Sequence, residues 1–506
     1  MTRRAVLAVD EGTTGVTALV IAEDATVLGR GYAEFAQHFP RPGWVEHEPE
    51  EIWQATLTAC RDALRAAGAR HGGRGGDTEI HAVGITDQRE TAVLWDRGTL
   101  AAPRRAVVWQ DRRSAALCER LREKGHEPRV AELTGLRLDP YFTATKLAWL
   151  RDHDPDTWAG VQGGSVAVGT VDSYLVARMS GGTRHVTDAS NASRTLLLDL
   201  RSGTWSPEMC ELFGVPAEAL PEVVPSWGEV ARTDPGSFLG LDVPVAGIAG
   251  DQQAALFGQT CFEVGDTKCT YGTGSFVLVN TGATAAAGTV DGELGGLLST
   301  VAWMAPDGTL TYAQEGSIFV TGAAVQWLRD GLQVIGSAAE TEALARTVPD
   351  TGGVVFVPAL TGLGAPEWDP DARGTILGIT RGTTRAHLVR ATLEAIAFQV
   401  RDVVATMETT VPVLRADGGA SANNLLMQLQ ADQLGVPVER PAMPETTGLG
   451  AAFLAGLGTG VWSSLEELRD TWRLDRRFEP GERDEAGYRR WRAGVARSHG
   501  WAPLTD

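Results

Sequence analysis

The chain has 506 residues, of which 43% are hydrophobic and 22% are charged, a composition typical of a soluble globular protein with two or three domains. Its formal net charge of −19 disfavours broad binding to nucleic acid or to anionic membranes, so we expect neither as a partner. The five cysteines are scattered without a C-x-x-C pair, and the apolar run near the N-terminus is too short for a signal sequence. Both features predict a cytoplasmic protein with reduced thiols.

The first predicted elements are two strands joined by a glycine turn. A-V-L-A-V-D-E-G-T-T-G-V-T-A-L-V-I-A, residues 5–22, predicts a hairpin with Thr13 and Thr14 at its tip. This could be an ordinary tight turn. Glycine also allows a backbone to approach a phosphate closely, threonine hydroxyls add donors, and Asp10 lies where it could hold a hydrated Mg²⁺.

The next predicted elements are a helix, a flexible loop and a strand, over residues 48–65, 69–77 and 79–86. Arg89 and Glu90 follow that strand and offer both donors and acceptors to a polyhydroxyl ligand, although a surface ion pair is the simpler interpretation of such a pair alone. Trp109 could cover the apolar edge of a small carbon skeleton, or it could belong to the core.

Asp251 stands where a predicted buried strand, residues 243–249, passes into a predicted helix that includes residues 254–258. An aspartate at this point could simply cap the helix. It could also accept a proton from a hydroxyl that attacks a phosphoryl group, because a well-placed carboxylate is a sufficient base for a loose transition state.

The second half of the chain repeats the pattern of the first. Residues 265–282 again predict a strand, a Gly/Thr turn around Thr273 and a second strand, which indicates an approximate internal duplication. We therefore predict α/β architecture with domains at residues 1–253 and 254–506. Further on, the sequence predicts a strand that ends at Asp417 and a helix over residues 422–434. It then predicts a helix of small residues over 448–458 and a helical tail over 469–506.

Six longer segments carry a resemblance to a known family. They are P-R-P-G-W-V-E-H-E-P-E-E-I-W (40–53), G-I-T-D-Q-R-E-T (84–91), D-P-Y-F-T-A-T-K-L-A-W-L (139–150), H-V-T-D-A-S-N-A-S-R-T (185–195), G-I-A-G-D-Q-Q-A-A-L-F-G-Q (247–259) and L-T-G-L-G-A-P-E-W-D-P (360–370). Together they resemble the FGGY carbohydrate kinases, and specifically the members that phosphorylate glycerol. The resemblance runs nearly from one end of the chain to the other.

The resemblance implies two actin-like (ribonuclease-H-like) α/β domains, related by approximate duplication, that flank a catalytic cleft. It implies phosphorylation of glycerol to sn-glycerol 3-phosphate with ATP and Mg²⁺, in glycerol uptake and catabolism. The glycerol-binding residues would be Arg89, Glu90, Trp109, Tyr141, Asp251, Gln252 and Phe276, with Asp251 as the general base. The nucleotide-binding residues would be Thr13, Thr14, Gly15, Thr273, Gly322, Gln326, Gly419 and Asn423, and the metal would be placed by Asp10 and Asp251.

The chain also departs from the family pattern. Thr17 stands where many members have a basic residue, Glu11 where Gln is common, Asp87 where Asn is common, and Gly15 where a hydroxyl residue is frequent. Residues 231–240 lack the glycine-and-arginine loop that binds fructose 1,6-bisphosphate in some relatives, and the histidine that is phosphorylated in others is absent. We therefore expect neither form of regulation.

Two other functions stay open at this point. The first is a kinase for another small polyol or a ketose, because the nucleotide half of the family is shared. The second is a nucleotide-binding regulator or actin-like assembly protein without kinase activity. A homo-oligomer, either a dimer or a tetramer, is expected from the resemblance alone.

Overall fold

The computed structural model describes residues 3–69, 78–286, 289–290, 293–294 and 296–501. Of the loop predicted over residues 69–77, all but Ala69 lies outside the described residues. The strands, in chain order, are β1 (Arg3–Glu11), β2 (Gly15–Ala22), β3 (Val27–Glu34), β4 (Gln37–His38), β5 (Glu46–His47), β6 (Thr78–Asp87), β7 (Val93–Asp96), β8 (Ala106–Val107), β9 (Val166–Gly169), β10 (Val186–Asp188), β11 (Leu198–Asp199), β12 (Thr204–Trp205), β13 (Glu222–Val224), β14 (Trp227–Arg232), β15 (Pro244–Gly250), β16 (Thr267–Tyr271), β17 (Ser275–Gly282), β18 (Thr289–Val290), β19 (Glu293–Leu294), β20 (Leu298–Met304), β21 (Leu310–Ile318), β22 (Val355–Val357), β23 (Thr375–Leu377), β24 (Leu414–Asp417), β25 (Val438–Pro441) and β26 (Leu474–Phe478).

The helices lie between groups of these strands along the chain. They are α1 (Pro49–Ala66), α2 (Ala115–Glu123), α3 (Glu127–Thr134), α4 (Thr143–His153), α5 (Pro155–Gln162), α6 (Val171–Met179), α7 (Ala189–Ala192), α8 (Pro207–Phe213), α9 (Asp251–Gly258), α10 (Gly322–Asp330), α11 (Glu340–Ala345), α12 (Arg385–Ala405), α13 (Asn424–Leu434), α14 (Thr446–Thr459), α15 (Leu465–Thr471) and α16 (Glu485–Ser498). In the described part of the chain, no helix combines the length and the apolar character that a membrane span requires.

The two large sheets share the arrangement of their central strands. The N-terminal sheet has the strand order β14-β15-β6-β1-β2-β3, and the C-terminal sheet has the order β20-β21-β17-β16-β24-β25-β26. In the N-terminal sheet, β1 pairs antiparallel with its hairpin partner β2 on one side, and the parallel strands β6 and β15 follow on the other side. In the C-terminal sheet, β16 pairs antiparallel with β17, and the parallel strands β24 and β25 follow on the other side. This recurrence confirms the predicted α/β architecture and its approximate duplication. The boundary between residues 253 and 254, which lies within α9, stays a prediction.

Helices cover both faces of the N-terminal sheet. Successive side chains of a strand point to opposite faces, so Ala5, Leu7 and Val9 join the cluster that includes α1, whereas Val6 and Ala8 join the cluster that includes α14. Strand β1 is therefore buried on both sides, which accounts for its nearly continuous apolar sequence.

Helix α14 packs against the N-terminal sheet although it comes from the C-terminal half of the chain. It confirms the predicted small-residue helix, and glycines make the close approach possible. A Cβ atom on Gly84 of β6 would lie 2.1 Å from the carbonyl oxygen of Ala451, and one on Gly450 would lie 1.8 Å from that of Ala254. The end of β6 and the start of α9, which carry the candidate site, are thus held together by this helix.

The C-terminal tail corrects the helical prediction for residues 469–506. Leu474–Phe478 forms strand β26, which pairs antiparallel with β25 at the edge of the C-terminal sheet, and a helix follows only at Glu485. Four of the five residues of β26 are exposed, and its sequence is rich in charged side chains. A surface helix has the same kind of composition, so the sequence alone did not distinguish the two. The backbone partner that makes the segment a strand comes from elsewhere in the chain.

Candidate active site

Asp251 is the first residue of helix α9, directly after strand β15. The N-cap position is Gly250, so the alternative interpretation of Asp251 as the N-cap residue is wrong. A Cβ atom at Gly250 would meet Cδ of Arg89 at 2.6 Å, which explains why glycine precedes the aspartate. The Asp251 side chain is 31% exposed, and its Oδ1 accepts a hydrogen bond from the backbone nitrogen of Gln252 at 2.7 Å. The carboxylate is therefore both fixed and reachable.

Arg89 is the centre of the buried polar residues around Asp251. Its guanidinium is 2% exposed; Nε lies 3.2 Å from Oδ1 of Asp251, and Nη2 donates to the hydroxyl of Tyr141 at 3.4 Å. The two terminal nitrogens also donate to Glu315, at 2.5 and 3.1 Å. The planar fork of arginine suits such a set, because each donor has a fixed direction. The structure thus brings three of the predicted glycerol-binding residues together.

Glu90 and Glu315 are joined by a second buried arginine. Arg194 donates to Oε1 of Glu90 at 2.7 Å and to Oε1 of Glu315 at 3.0 Å, and all three side chains are fully or almost fully buried. Burial alone would raise the pKa of Glu315, but the guanidiniums of Arg194 and Arg89 lower it to about 2. Two arginines and two glutamates therefore form one buried network whose charges balance.

The backbone at Glu90 is held in an unusual conformation. Its φ angle is +64°, in the left-handed region, and the nitrogen of Thr91 donates to the carbonyl oxygen of Arg89 at 2.9 Å. Such a tight turn costs about 1–3 kcal/mol for a residue other than glycine and persists only where its surroundings enforce it. Here the surroundings are the bond from Arg194 and one from the hydroxyl of Thr143 to the Glu90 carbonyl oxygen at 3.1 Å.

Aromatic rings form a wall beside this network. Trp109 and Tyr141 meet edge to face with ring centres 5.7 Å apart, and the guanidinium carbon of Arg89 lies 5.6 Å from the ring centre of Phe276. The indole nitrogen of Trp109 donates to the hydroxyl of Thr13 at 3.0 Å. The wall is therefore bonded directly to the tip of the first hairpin.

Gln252 completes the surroundings of Asp251. Its side-chain nitrogen donates to Oδ2 of Asp251 at 3.0 Å, and its side-chain oxygen accepts from the ammonium of Lys268 at 2.5 Å. Each oxygen of the Asp251 carboxylate thus has a donor inside the protein, and these donors fix the orientation of the carboxylate.

The predicted nucleotide-binding residues of the second half lie around a single cavity. The cavity has a volume of about 570 Å³, a size suited to a small-molecule ligand, and its lining includes Thr273, Gly322, Gln326, Gly419 and Asn423. A Cβ atom on Gly419 would meet nothing within 4 Å, so this residue faces open space. Asn423 already uses both side-chain atoms within the protein: it caps α13 through Leu426 and donates to Thr341.

The predicted residues of the first half lie on the β1–β2 hairpin and not among those that line this cavity. Thr14 lies at the turn, and its carbonyl oxygen accepts from the nitrogen of Phe35. Gly15 is enclosed by strand β3, since a Cβ atom there would lie 2.7 Å from the carbonyl oxygen of Ala33. Thr17 pairs with Asp10 across the hairpin, which places a neutral side chain next to that carboxylate.

Asp10 and Asp251 are the residues that could hold a metal ion. Burial and then the charge of Asp251 raise the pKa of Asp10 to about 7, so the two carboxylates repel each other and a cation between them would be stabilising. Among the described residues, no group of three or more His, Cys, Asp or Glu could hold a metal ion. Mg²⁺ is commonly held by one or two carboxylates together with phosphate and water oxygens, so this donor set fits it.

Glu11 and Asp87 lie side by side as register partners of β1 and β6, and both are completely buried. Glu11 accepts from the side chain of Gln88 at 3.0 Å, and Asp87 accepts from that of Asn191 at 2.9 Å. Burial raises the pKa of both carboxyl groups well above its ordinary value. Each therefore binds a proton more readily than an exposed carboxyl group would.

Sequence comparison identifies the family. The chain matches the FGGY family of carbohydrate kinases, N-terminal domain, over residues 5–258 and the C-terminal domain of the same family over residues 267–459. It belongs to the FGGY family of carbohydrate kinases.

Relatives of this FGGY chain match it over nearly its full length. A glycerol kinase of Aromatoleum aromaticum is 54% identical over 502 residues, which cover 98% of this chain and 99% of the relative. A glycerol kinase of Myxococcus xanthus is 52% identical over 502 residues, with 97% and 99% covered. The crystal structure of Plasmodium falciparum glycerol kinase with ADP superimposes with a TM-score of 0.88 at 32% identity, with 100% and 99% covered.

Three residues that touch the site of this FGGY kinase were not predicted from the sequence. Arg194 lies within a segment that carries the family resemblance, Glu315 interrupts a buried strand, and Lys268 is one of only three lysines in the chain. For Lys268 the available signal was a charged residue within a predicted strand, whereas the strand that carries Glu315 has no apolar pattern that would mark it as buried. Their partners are far away in the sequence, so spacing alone could not connect them to Arg89 or Gln252.

Proposed function

We propose that this chain transfers the terminal phosphoryl group of ATP to glycerol, giving sn-glycerol 3-phosphate, with Asp251 as the general base. The observation that carries the proposal is the position of Asp251: its partly exposed carboxylate touches Arg89 at 3.2 Å, beside the aromatic wall, at the start of α9. The match to glycerol kinases over nearly the whole chain supports the choice of substrate. We also propose that the reaction serves glycerol uptake and catabolism.

The buried network explains how a small triol would be recognised. Arg89 would exchange its 3.4 Å bond to Tyr141 for one to a hydroxyl group of the substrate, and Glu90 would offer an acceptor oxygen, so that adjacent hydroxyl groups can be bound by opposite charges. Trp109 and Phe276 would cover the carbon skeleton and exclude water, which limits the hydrolysis of ATP. Because the arginines and glutamates hold one another, few groups have to move when the substrate binds.

Asp251 would then take the proton of the hydroxyl that is phosphorylated. Its two oxygens are oriented by Arg89, Gln252 and the start of a helix, where a negative charge is favoured. In phosphoryl transfer most of the rate comes from positioning and charge stabilisation, so a carboxylate that is fixed in place is adequate.

ATP would occupy the cavity lined by Thr273, Gly322, Gln326, Gly419 and Asn423, with its phosphates between the two hairpins. The backbone and hydroxyl donors of Thr13, Thr14 and Thr273 would face the phosphate oxygens. Mg²⁺, held by Asp10 and Asp251, would neutralise phosphate charge when it is bound with the nucleotide. A reaction that consumes ATP also supports the cytoplasmic location predicted from the sequence, and the homo-oligomer stays a prediction.

The test is a coupled assay of glycerol-dependent ADP formation for the unmodified protein and for Asp251→Asn. We expect kcat to fall by at least about a thousandfold, because the base is lost, while the Kd for ADP measured by calorimetry changes by less than about threefold. Asp242→Asn, an exposed aspartate that pairs with Arg232, is the matched control and should retain full activity. Near-normal turnover by Asp251→Asn would remove the proposed base.

Substrate identity is tested separately with a panel of polyols and ketoses at fixed ATP. We expect the highest kcat/KM for glycerol. A clear preference for xylitol, erythritol or xylulose would overturn glycerol as the substrate while leaving phosphoryl transfer in place. Binding of ATP without any ADP production from the panel would favour the regulator instead.

A further inference from the structure

Lys268 is a fully buried cation behind the candidate base. It lies on strand β16 near the centre of the C-terminal sheet, and its ammonium donates to Oε1 of Gln252 at 2.5 Å and to the hydroxyl of Thr270 at 2.9 Å. Within the part of the chain that the structure describes, it makes no ion pair with a carboxylate. Burial lowers the pKa of Lys268, and the charges of Asp417 and Asp251 oppose that change.

An ammonium group at this place determines how the Gln252 amide is oriented. Lysine has three donors and no acceptor, so the amide must present its oxygen to Lys268. The amide nitrogen is then directed away from Lys268, and it donates to Oδ2 of Asp251 at 3.0 Å. With the amide reversed, its oxygen would face the carboxylate and repel it. With a neutral apolar side chain at position 268, the Asp251 carboxylate alone would favour one orientation of the amide.

Lys268 also connects the base to the second hairpin. The strand that carries it, β16, ends at Tyr271 and passes directly into the turn at Thr273, which lines the cavity. Gln252 and Asp251 belong to α9, which follows the N-terminal sheet. The bond between Lys268 and Gln252 therefore links the strand that leads to Thr273, at the lining of the cavity, to the helix that carries the base.

We propose that Lys268 is a positioning residue for phosphoryl transfer, acting through the Gln252 amide to hold the Asp251 carboxylate in place relative to the second hairpin. This proposal rests on the proposed function, because it takes Asp251 as the base. It assigns Lys268 no contact with either substrate. Its effect on the reaction should therefore pass entirely through Gln252.

The experiment compares Lys268→Met, Gln252→Leu and the double variant in steady-state assays with glycerol and ATP. We expect Lys268→Met to lower kcat by about tenfold to a hundredfold, with the KM for ATP within about threefold of the unmodified value. Because one residue acts through the other, the double variant should be no slower than the slower single variant. Lys268→Arg keeps a donor and a charge, so it should recover most of the loss.

Three results would overturn the proposal. The first is a normal kcat for Lys268→Met together with a lower melting temperature, since the lysine would then serve stability alone. The second is a double variant whose loss is the product of the two single losses, since Lys268 would then act independently of Gln252. If Lys268→Met does not fold, Gln252→Leu and Lys268→Arg provide the third result. An unchanged kcat in Gln252→Leu would overturn the proposal. A loss of kcat in folded Lys268→Arg as large as the loss in Gln252→Leu would overturn it as well.

Asp251→Asn is measured in the same series to separate the two proposals. If Asp251→Asn is inactive and Lys268→Met has normal kcat, the role of Lys268 fails and the base stands. If Asp251→Asn is active, the assignment of the base fails, and the role of Lys268 fails with it.

Discussion

Glu315 binds the guanidinium of Arg89 through both of its carboxylate oxygens, at 2.5 and 3.1 Å. Glu315 belongs to β21 of the C-terminal sheet, whereas Arg89 follows β6 of the N-terminal sheet. The arginine that we expect to bind glycerol is thus held by the other half of the chain. One buried ion pair therefore connects the position of Arg89 to the position of the C-terminal sheet relative to the N-terminal sheet.

Replacement of Glu315 by Gln should impair glycerol binding far more than nucleotide binding. The change leaves Arg89 and Arg194 with one buried negative partner fewer, and breaking a buried pair in this way costs about 3–5 kcal/mol. We expect kcat/KM for glycerol to fall by at least about a hundredfold and the KM for ATP to change by less than about threefold. Steady-state kinetics with each substrate varied in turn measures both values.

Glu315→Asp is the matched control, because it keeps the charge and shortens the side chain by one carbon. It should lose less glycerol activity than Glu315→Gln. Equal effects of the Gln variant on the two substrates would contradict a local role at Arg89 and would point to general destabilisation. Thermal unfolding of both variants separates these outcomes.

Local patterns in the sequence were sufficient for both hairpins and for the junction at Asp251. The Gly/Thr turns and the change from an apolar run to a helical pattern involve residues close in sequence, so their structure depends on backbone preferences that a pattern reveals. The edge strand Leu474–Phe478 could not be predicted in this way. Its identity depends on the backbone of β25, and its charged, exposed side chains are typical of both a surface helix and a protected sheet edge.

The same distinction, between local patterns and contacts of distant residues, applies to the residues of the candidate site. The resemblance supplied Arg89, Glu90 and Asp251, and the structure brings them together. It did not supply Glu315 or Lys268, because an ion pair or an amide orientation is a relationship between distant residues. Burial reveals them: a charged side chain with almost no exposure needs partners, and here those partners are the predicted site residues.

Gly419→Val should weaken nucleotide binding without a loss of stability. The position of a Cβ atom at Gly419 has no neighbour within 4 Å, so the larger side chain would enter the cavity and displace the ligand instead of the protein. We expect the Kd for ADP to rise by at least about tenfold, with little change in melting temperature. Calorimetry and thermal unfolding are the measurements.

A second glycine provides the control for that change. Gly98 lies on an exposed turn where a Cβ atom would meet only Asp96, at an ordinary distance of 3.5 Å. Gly98→Val should leave the Kd for ADP unchanged. Unchanged ADP binding in Gly419→Val would mean that the nucleotide does not occupy this cavity.

Asp87→Asn should change how stability depends on pH. Burial, followed by the charges of Asp172 and Glu11, raises the pKa of Asp87 well above its ordinary value. The stability that the protonated group contributes is therefore fully present below about pH 4 and is lost as the pH rises toward the folded-state pKa. Asparagine does not titrate, so the melting temperature of Asp87→Asn relative to the unmodified protein should increase from about pH 4 to about pH 9.

The comparison needs only thermal unfolding at several pH values. Asp156→Asn, an exposed change on α5, is the matched control and should show no such trend. A difference between Asp87→Asn and the unmodified protein that is constant across this range would show that Asp87 does not titrate differently in the folded and unfolded states.

Trp109→Phe should affect both substrates at once. The indole nitrogen of Trp109 donates to the hydroxyl of Thr13 at 3.0 Å, so the aromatic wall and the first hairpin share one hydrogen bond. Phenylalanine keeps the apolar surface and removes the donor; Thr13→Val keeps the shape and removes the acceptor. A hydrogen bond contributes about 0.5–1.5 kcal/mol, so each variant should raise the KM for glycerol and for ATP by about twofold to tenfold.

The double variant should be no worse than the worse single variant, because both remove the same bond. Trp205→Phe removes an equivalent bond, from the indole nitrogen to the carbonyl oxygen of Pro221 at 2.8 Å, and should alter neither KM. Additive losses in the double variant would mean that Trp109 and Thr13 serve the two substrates separately.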